Sequence, residues 1–202
     1  MEGNKKFTLI SFIVVVVILI AVLAYVFSKN SSENITDPAI NDLTNQLGNN
    51  VIARSNTDLL DGYKLYDASL YQVQYKSDWT GDVSATNPDM VVFLALDGIT
   101  SINVVTEKLP MKYTAEQYTN ASISSIKTTF GLKDSDISKE KTSVNGKEAY
   151  RLSYNLAITE TETMLLTQTL FVSDLTAFII TYNNMGDFED VYHNMENTFK
   201  VK

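Results

Sequence analysis

The sequence predicts an α+β domain, in which helices flank an antiparallel β-sheet, preceded by one N-terminal transmembrane helix. Three observations lead to this prediction: an uncharged run near the N-terminus, alternating strands joined by hairpin signals, and two amphipathic helices. Antiparallel strands connected by hairpins and covered by helices form an α-β-α sandwich. We therefore divide the chain into a tail (1–6), a membrane helix (7–27), a polar linker (28–50) and a folded domain (51–202).

Segment 7–27 has the length and composition of a helix that crosses a bilayer. Its 21 residues contain no charged side chain, and a helix of this length spans about 31 Å. Lys5 and Lys6 precede the run, so the positive-inside bias places residues 1–6 in the cytoplasm and the rest of the chain outside it. We expect a single-pass protein of the cell membrane that contacts the lipid bilayer through residues 7–27.

Two other interpretations of this segment remain open. A cleaved secretory signal is possible in principle, because Val22-Leu23-Ala24 has the small residues of a cleavage site. A pilin-like leader is the other, because Lys6-Phe7-Thr8-Leu9-Ile10 resembles the start of a type IV pilin. Lys6 departs from that pattern by occupying a small-residue position, and Ser11 departs from it by replacing a glutamate.

The linker is rich in Ser, Asn, Asp and Thr and carries few apolar residues. Such a segment cannot bury enough surface to offset the entropy of ordering it. Three Asn-x-Ser/Thr sequons offer glycosylation sites if the chain lies outside the cytoplasm: Asn30 and Asn34 in the linker, and Asn120 in the domain.

The first half of the domain has strand patterns. Residues 71–76 alternate apolar and polar side chains, which indicates a half-buried strand. Residues 90–96 are apolar on both faces, which indicates a central strand covered on both sides. Residues 101–107 alternate again and predict a third strand.

A helix follows, and its two ends are marked. Thr114 is placed to cap it, with Gln117 in the capping-box position three residues later. Its apolar residues fall on one broad face, and Gly131 is a typical helix end.

The second half of the domain predicts a four-strand meander and a closing helix. Asn145-Gly146 accepts the positive φ angles of a type I′ turn and predicts a hairpin. Alternating strands then run through residues 150–158, 164–172 and 177–182. Asp187 is expected to cap the last helix, whose apolar face comprises Phe188, Val191, Tyr192, Met195 and Phe199.

Two short motifs and the order of the elements resemble the PsbP-like family over residues 63–202. The motifs are Tyr75-Lys76-Ser77-Asp78-Trp79 and Val144-Asn145-Gly146-Lys147-Glu148-Ala149-Tyr150. Lys76 departs from the family, which often has proline there. The resemblance implies an α-β-α sandwich that binds proteins and brings no catalytic residues with it. Relatives include an extrinsic photosystem subunit, a Ran-binding import factor and bacterial envelope lipoproteins, so a photosystem role does not follow.

Composition excludes several kinds of site. The chain has no Cys and one His, which excludes disulfides, zinc–thiolate sites and multi-histidine metal sites. Its net charge of −8 and the absence of a Gly-rich phosphate loop argue against nucleic acid and nucleotide as partners. At most, the acidic balance suggests a basic partner or one bridged by cations. We expect no cofactor and no bound metal.

Ionisable groups give little indication of chemistry. His193 is expected to be a surface histidine of the last helix. Paired carboxylates occur at Asp134 with Asp136, Glu160 with Glu162 and Glu189 with Asp190. They leave open whether calcium binds, although a calcium loop needs six or more converging oxygens.

The function that fits these features is a non-catalytic binding or scaffolding module, tethered to the membrane and facing an unknown envelope protein. The candidate partner or ligand surface is a group of four aromatic residues, Tyr66, Tyr71, Tyr75 and Trp79. Core packing is the default interpretation of these rings, and we predict it for Trp79. The alternatives are an extracytoplasmic hydrolase that uses paired carboxylates and a pilin-like surface subunit.

Overall fold

A seven-stranded antiparallel sheet forms the centre of the domain in the computed structural model, which describes residues 59–83, 90–158, 160–184 and 186–202. The tail, the predicted membrane helix and the linker, with Asn30 and Asn34, lie outside these residues. Neither helix within the described ranges has the length and hydropathy that a bilayer crossing requires. The described elements are, in chain order, β1 (Tyr63–Asp67), β2 (Tyr71–Lys76), β3 (Thr80–Val83), β4 (Met90–Leu94), β5 (Ser101–Lys108), α1 (Ala115–Phe130), β6 (Ile137–Val144), β7 (Lys147–Ala157), β8 (Thr163–Ser173), β9 (Thr176–Asn184), α2 (Glu189–Thr198) and β10 (Lys200–Val201).

The strand order in the large sheet is β3-β4-β5-β9-β8-β7-β6. Its last four strands form the predicted meander, because β6, β7, β8 and β9 pair consecutively through hairpins. Strand β5 closes the gap between the meander and the first half of the domain by pairing with β9. A second sheet, in the order β1-β2-β10, joins the start of the domain to its C-terminus.

Helix α1 is formed by the local signals that the sequence carries. The Thr114 hydroxyl accepts a hydrogen bond from the Gln117 amide at 3.1 Å, and the Gln117 side chain accepts one from the Thr114 amide at 3.0 Å. This reciprocal capping box satisfies two donors that the helix itself leaves free. At the other end Gly131 has φ of 68°, in the left-handed region where glycine carries no steric penalty.

The β6–β7 hairpin also follows its sequence signal. Asn145 and Gly146 have φ of 47° and 77°, as a type I′ turn requires at both central positions. Val144 pairs with Lys147 across the turn, and this register continues to Ile137 opposite Tyr154. The predicted hairpin and its position are therefore confirmed.

Each face of the large sheet has its own apolar core, so the predicted sandwich is confirmed. On one face α1 contributes Tyr118 and Ile126 to a cluster with Leu152 and Leu166. On the other, α2 and the small sheet form a second cluster whose buried aromatic residues are Tyr71, Trp79, Phe93, Phe171, Phe178, Tyr182, Tyr192 and Phe199. Side chains on the two faces of one strand therefore belong to different cores.

Two predictions about element ends are wrong. The strand expected over residues 90–96 ends at Leu94, and Leu96 is 79% exposed. The Asp97 carboxylate accepts hydrogen bonds from the Ile99 and Thr100 amides and turns the chain there. The strand is therefore shorter than predicted, and a turn stabilised by the Asp97 side chain follows it.

Asp187 does not cap α2, which begins after Phe188, and no side chain bonds to the helix from that N-cap position. The hydroxyl of Tyr182 holds this end of the helix instead. It accepts a hydrogen bond from the Phe188 amide at 3.1 Å and donates one to the Gly186 carbonyl at 2.6 Å. A tertiary contact from β9 thus replaces the local cap that the sequence suggested.

Candidate functional site

A polar pocket lies between α2 and the sheet, where β6, β7, β8 and β9 run beside the helix. Its volume is ≈ 270 Å³. Strand side chains on this face alternate with those that enter the α1 core, and α2 is too short to cover all of them. The pocket is lined by Glu140, Arg151, Ser153, Leu165, Thr167, Tyr182, Glu189, Tyr192 and His193.

A buried carboxylate, Glu196 of α2, organises the wall of this pocket. Its side chain is only 5% exposed. Glu196 accepts a hydrogen bond from Nη2 of Arg151 at 2.6 Å and one from Nδ1 of His193 at 2.9 Å. A buried charge is tolerated when it is paired and hydrogen-bonded. Strand β7 and helix α2 are thereby joined by an ion pair.

A second chain of hydrogen bonds fixes Glu196 from beneath the helix. The hydroxyl of Thr169 donates to Glu196 Oε1, and the hydroxyl of Tyr192 donates to Thr169 Oγ1 at 2.7 Å. Burial, and then the charge of Glu196, hold the pKa of Tyr192 well above its ordinary value. The Tyr192 hydroxyl therefore keeps its proton and donates it in the hydrogen bond to Thr169.

Arg151 keeps its charge in this setting. Burial is the largest single influence and acts to lower its pKa, but the charge and hydrogen bond of Glu196, together with Tyr192 and Glu140, leave the pKa above its ordinary value. The guanidinium also lies 3.9 Å from the carboxylate of Glu140. A charge-assisted hydrogen bond such as the one between Arg151 Nη2 and Glu196 is shorter and stronger than a neutral one and holds both side chains in place. The pocket wall is consequently preorganised.

The described pocket residues can be compared with the pairing that catalysis by nucleophile and base requires. His193 is hydrogen-bonded to the Glu196 carboxylate, whereas the pocket hydroxyls of Ser153 and Thr167 contact each other, 3.4 Å apart. A general-base mechanism needs the base within reach of the nucleophile's proton. The described pocket residues do not present that pairing.

The aromatic candidates divide into two pairs. Trp79 and Tyr71 are buried in the second core, where Trp79 packs edge-on against Phe188 at 5.3 Å between ring centroids. The predicted core position of Trp79 is confirmed. Tyr66 and Tyr75 are partly buried against the ring of Phe93.

A binding surface made of all four rings is therefore not what the structure presents. Tyr71 stacks on Phe199 at 4.8 Å, because the small sheet folds back over the large one and covers this face of β2. None of the four rings lines the pocket.

His193 is partly exposed, at 41% of its side chain, as expected for a surface histidine. It nevertheless lines the pocket and bonds to Glu196, which its sequence position did not indicate. Sequence reasoning missed Arg151 and Glu196 altogether. One signal was present: Glu196 follows Tyr192 by four residues and so interrupts the apolar face of α2 with a carboxylate.

The predicted carboxylate pairs lie mostly in exposed turns. Asp134 forms an ion pair with Lys127 at 2.5 Å, and Asp136 accepts the Lys133 amide at 2.7 Å. No group of three or more His, Asp or Glu in the described ranges is arranged to hold a metal ion. Of the paired carboxylates, Glu189 alone among those described lines the pocket.

The sequon residue Asn120 is exposed on α1, where its side-chain oxygen accepts a hydrogen bond from the Lys139 ammonium at 2.9 Å. The hydroxyl of the sequon serine, Ser122, is buried and donates to the Tyr118 carbonyl. Glycosylation at Asn120 stays a prediction.

Comparison with solved structures identifies the fold. The cyanobacterial PsbP (CyanoP) of Synechocystis sp. PCC 6803 superposes with a TM-score of 0.53 at 16% identity, over 75% of this chain and 99% of that one. The described domain has the PsbP fold. The resemblance carried by the two short motifs is thus confirmed at the level of the fold.

Two further structures are similar to the PsbP-fold domain at lower TM-scores. LpqN of Mycobacterium tuberculosis, described as involved in cell envelope biogenesis, has a TM-score of 0.46 at 12% identity, over 65% of this chain and 83% of that one. A protein of Bacteroides thetaiotaomicron has a TM-score of 0.48 at 10% identity, over 66% and 45%. No protein-family model and no curated protein sequence matches the chain.

Proposed function

We propose that this chain is a membrane-tethered extracytoplasmic module that binds another protein of the cell envelope and catalyses no reaction. The pocket beside α2 is its binding site. The single observation that carries the proposal is the Arg151–Glu196 ion pair at 2.6 Å, which fixes the pocket wall. A preorganised wall lowers the entropy lost when a partner binds.

The PsbP fold and the sequence support this proposal in different ways. The fold is an α-β-α sandwich, and the family resemblance brings no set of catalytic residues with it. The uncharged run over residues 7–27 and the polar linker provide the tether. A linker of this composition lets the domain reach partners a few nanometres from the bilayer.

Crosslinking in intact cells tests the proposal. A photoreactive amino acid at Leu165, which lines the pocket, should yield a discrete adduct with one envelope protein. The matched control is the same amino acid at Met111, which is exposed but outside the pocket. Equal adducts from both positions, or none from Leu165, would count against a binding site at the pocket.

Protease accessibility tests the proposed orientation separately. Protease added to protoplasts should digest the domain and leave an N-terminal fragment that contains Lys5 and Lys6. Protection of the whole domain would reverse the topology inferred from those lysines.

A further inference from the structure

The pocket carries more negative than positive charge. Its lining includes two well-exposed carboxylates, Glu140 at 69% and Glu189 at 72%. The one cation of its lining is Arg151, and Glu196 directly behind it balances that charge. Besides the imidazole of His193, the lining and Glu196 together carry three carboxylates and one guanidinium. The surplus negative charge lies on the two exposed carboxylates.

A chain of close contacts places those two carboxylates at opposite ends of the charged wall. Glu140 lies 3.9 Å from the Arg151 guanidinium, which lies 3.5 Å from Nδ1 of His193. Nε2 of His193 lies 3.6 Å from Glu189. The wall between the two ends consists of Arg151 and His193, which are both hydrogen-bonded to Glu196.

The floor of the pocket adds oxygen acceptors. Ser153 of β7 and Thr167 of β8 lie opposite each other, with their hydroxyl oxygens 3.4 Å apart. A hydroxyl has two lone pairs and accepts from an N–H donor as readily as it donates. Leu165 gives an apolar side to the same space, and this suits the aliphatic stem of a long basic side chain.

From this geometry we infer that the pocket receives a lysine or arginine side chain presented by the partner protein. The cationic head lies between Glu140 and Glu189, and its N–H groups donate to these carboxylates and to the floor hydroxyls. The inference rests on the proposed binding function and names the chemistry of the partner. It also agrees with the domain's acidity, since residues 28–202 carry 14 basic and 23 acidic groups, which favours encounter with a basic surface.

His193 provides a unique reporter, because it is the only histidine of the chain and it lines the pocket. We would label the histidine of the full-length chain in detergent micelles with ¹³C and ¹⁵N and follow its ring resonances. Three probes are added at constant ionic strength: N-acetyl-lysine amide, neutral N-acetyl-norleucine amide and anionic N-acetyl-glutamate amide. Constant ionic strength removes screening as a cause of any difference between them.

The lysine probe should shift the His193 resonances saturably, and the other two probes should not. The double variant Glu140→Gln/Glu189→Gln should weaken lysine binding about tenfold, because two exposed ion pairs are lost. Glu148→Gln is the matched control. Glu148 is also an exposed carboxylate on the β6–β7 side of the sheet, but it pairs with Lys141 and does not line the pocket.

Several results would overturn the inference. Equal shifts from norleucine would make the pocket an apolar site, and stronger binding of the glutamate probe would make it an anion site. The inference would also be overturned if the lysine probe did not bind saturably to the wild-type chain, or if it bound the double variant as tightly as the wild type. If any of these results came with a discrete adduct at Leu165, the proposed binding function would still hold. Only the inference that the pocket receives a basic side chain would be rejected.

Discussion

Replacing Glu196 with glutamine tests whether its ion pair with Arg151 holds α2 against the sheet. Glutamine has nearly the same shape and keeps one oxygen acceptor for Thr169. It removes the negative charge that balances the guanidinium, which lies 2.6 Å away with its side chain only 21% exposed. The substitution therefore isolates the charge from the packing.

The expected cost follows from the burial of the two partners. Removing one partner of a fully buried ion pair typically costs about 3–5 kcal/mol, and a hydrogen bond to a charged group is worth about 1.5–3 kcal/mol. Arg151 keeps some contact with water and with Glu140 at 3.9 Å, so its desolvation is incomplete. We expect Glu196→Gln to lower the free energy of unfolding by about 2–3 kcal/mol.

Urea unfolding of a chain that begins at Val51 measures this change. We expect such a chain to fold as a soluble monomer, because the members that the structure describes for both apolar clusters lie beyond that point. Fluorescence of Trp79, the only tryptophan, reports directly on α2 through its contact with Phe188. With an m-value of about 2 kcal/mol/M, the midpoint should fall by about 1–1.5 M urea.

A double-mutant cycle provides the control. Arg151→Met alone leaves the Glu196 carboxylate buried without its counter-charge. It should lower the free energy of unfolding by at least as much as Glu196→Gln does. Combining it with Glu196→Gln removes both charges, so the double variant should be more stable than the sum of the single effects predicts. Additive losses, or a loss below about 0.5 kcal/mol for Glu196→Gln, would refute the argument that this pair positions α2.

Three further predictions concern the cores and one turn. Trp79→Ala should lower the Tm by about 10 °C in circular dichroism, since truncating a buried tryptophan costs about 3–5 kcal/mol; an unchanged Tm would contradict its core position. Burial raises the pKa of Glu107 above its ordinary 4.5, although the Tyr118 hydroxyl bond opposes this. Glu107→Gln should therefore stabilise the domain at pH 7. The gain in urea midpoint should shrink as the pH falls towards 4.5, because the buried wild-type carboxyl is then protonated and, like glutamine, uncharged. A gain independent of pH would count against this. Gly146→Ala should cost about 1–2 kcal/mol by urea unfolding, because its φ of 77° is strained for residues with a Cβ, and an unaffected midpoint would argue against the type I′ turn.

Elements with strong local signals could be predicted from the sequence. Thr114 and Gln117 encode the start of α1 within four residues, and Asn145-Gly146 encodes a turn within two. The physical reason is that capping bonds and positive φ angles depend only on neighbours in the chain. The small sheet could not be predicted in the same way, because β10 has two residues and pairs with β2 about 130 positions earlier.

The candidate site could not be predicted because its parts are distant in sequence. Arg151 and Glu196 are separated by 45 positions, and no short motif contains them. Arg151 is a polar residue in an alternating strand, and the one local signal at Glu196, a carboxylate that interrupts the apolar face of α2, does not name its partner. Only the packing of α2 across β8 and β9 brings the two charges together and excludes water from them.

The sequence by itself determined the fold class, the order of the central elements and the expectation of a membrane tether. These depend on composition, on the periods of strand and helix, and on local turns, all of which act over a few residues. Tertiary structure alone decided which aromatic rings are covered, why Tyr182 rather than Asp187 holds the start of α2, and where a pocket forms. Those outcomes depend on which surfaces meet, since burial and the pairing of charges are properties of contacts between distant segments.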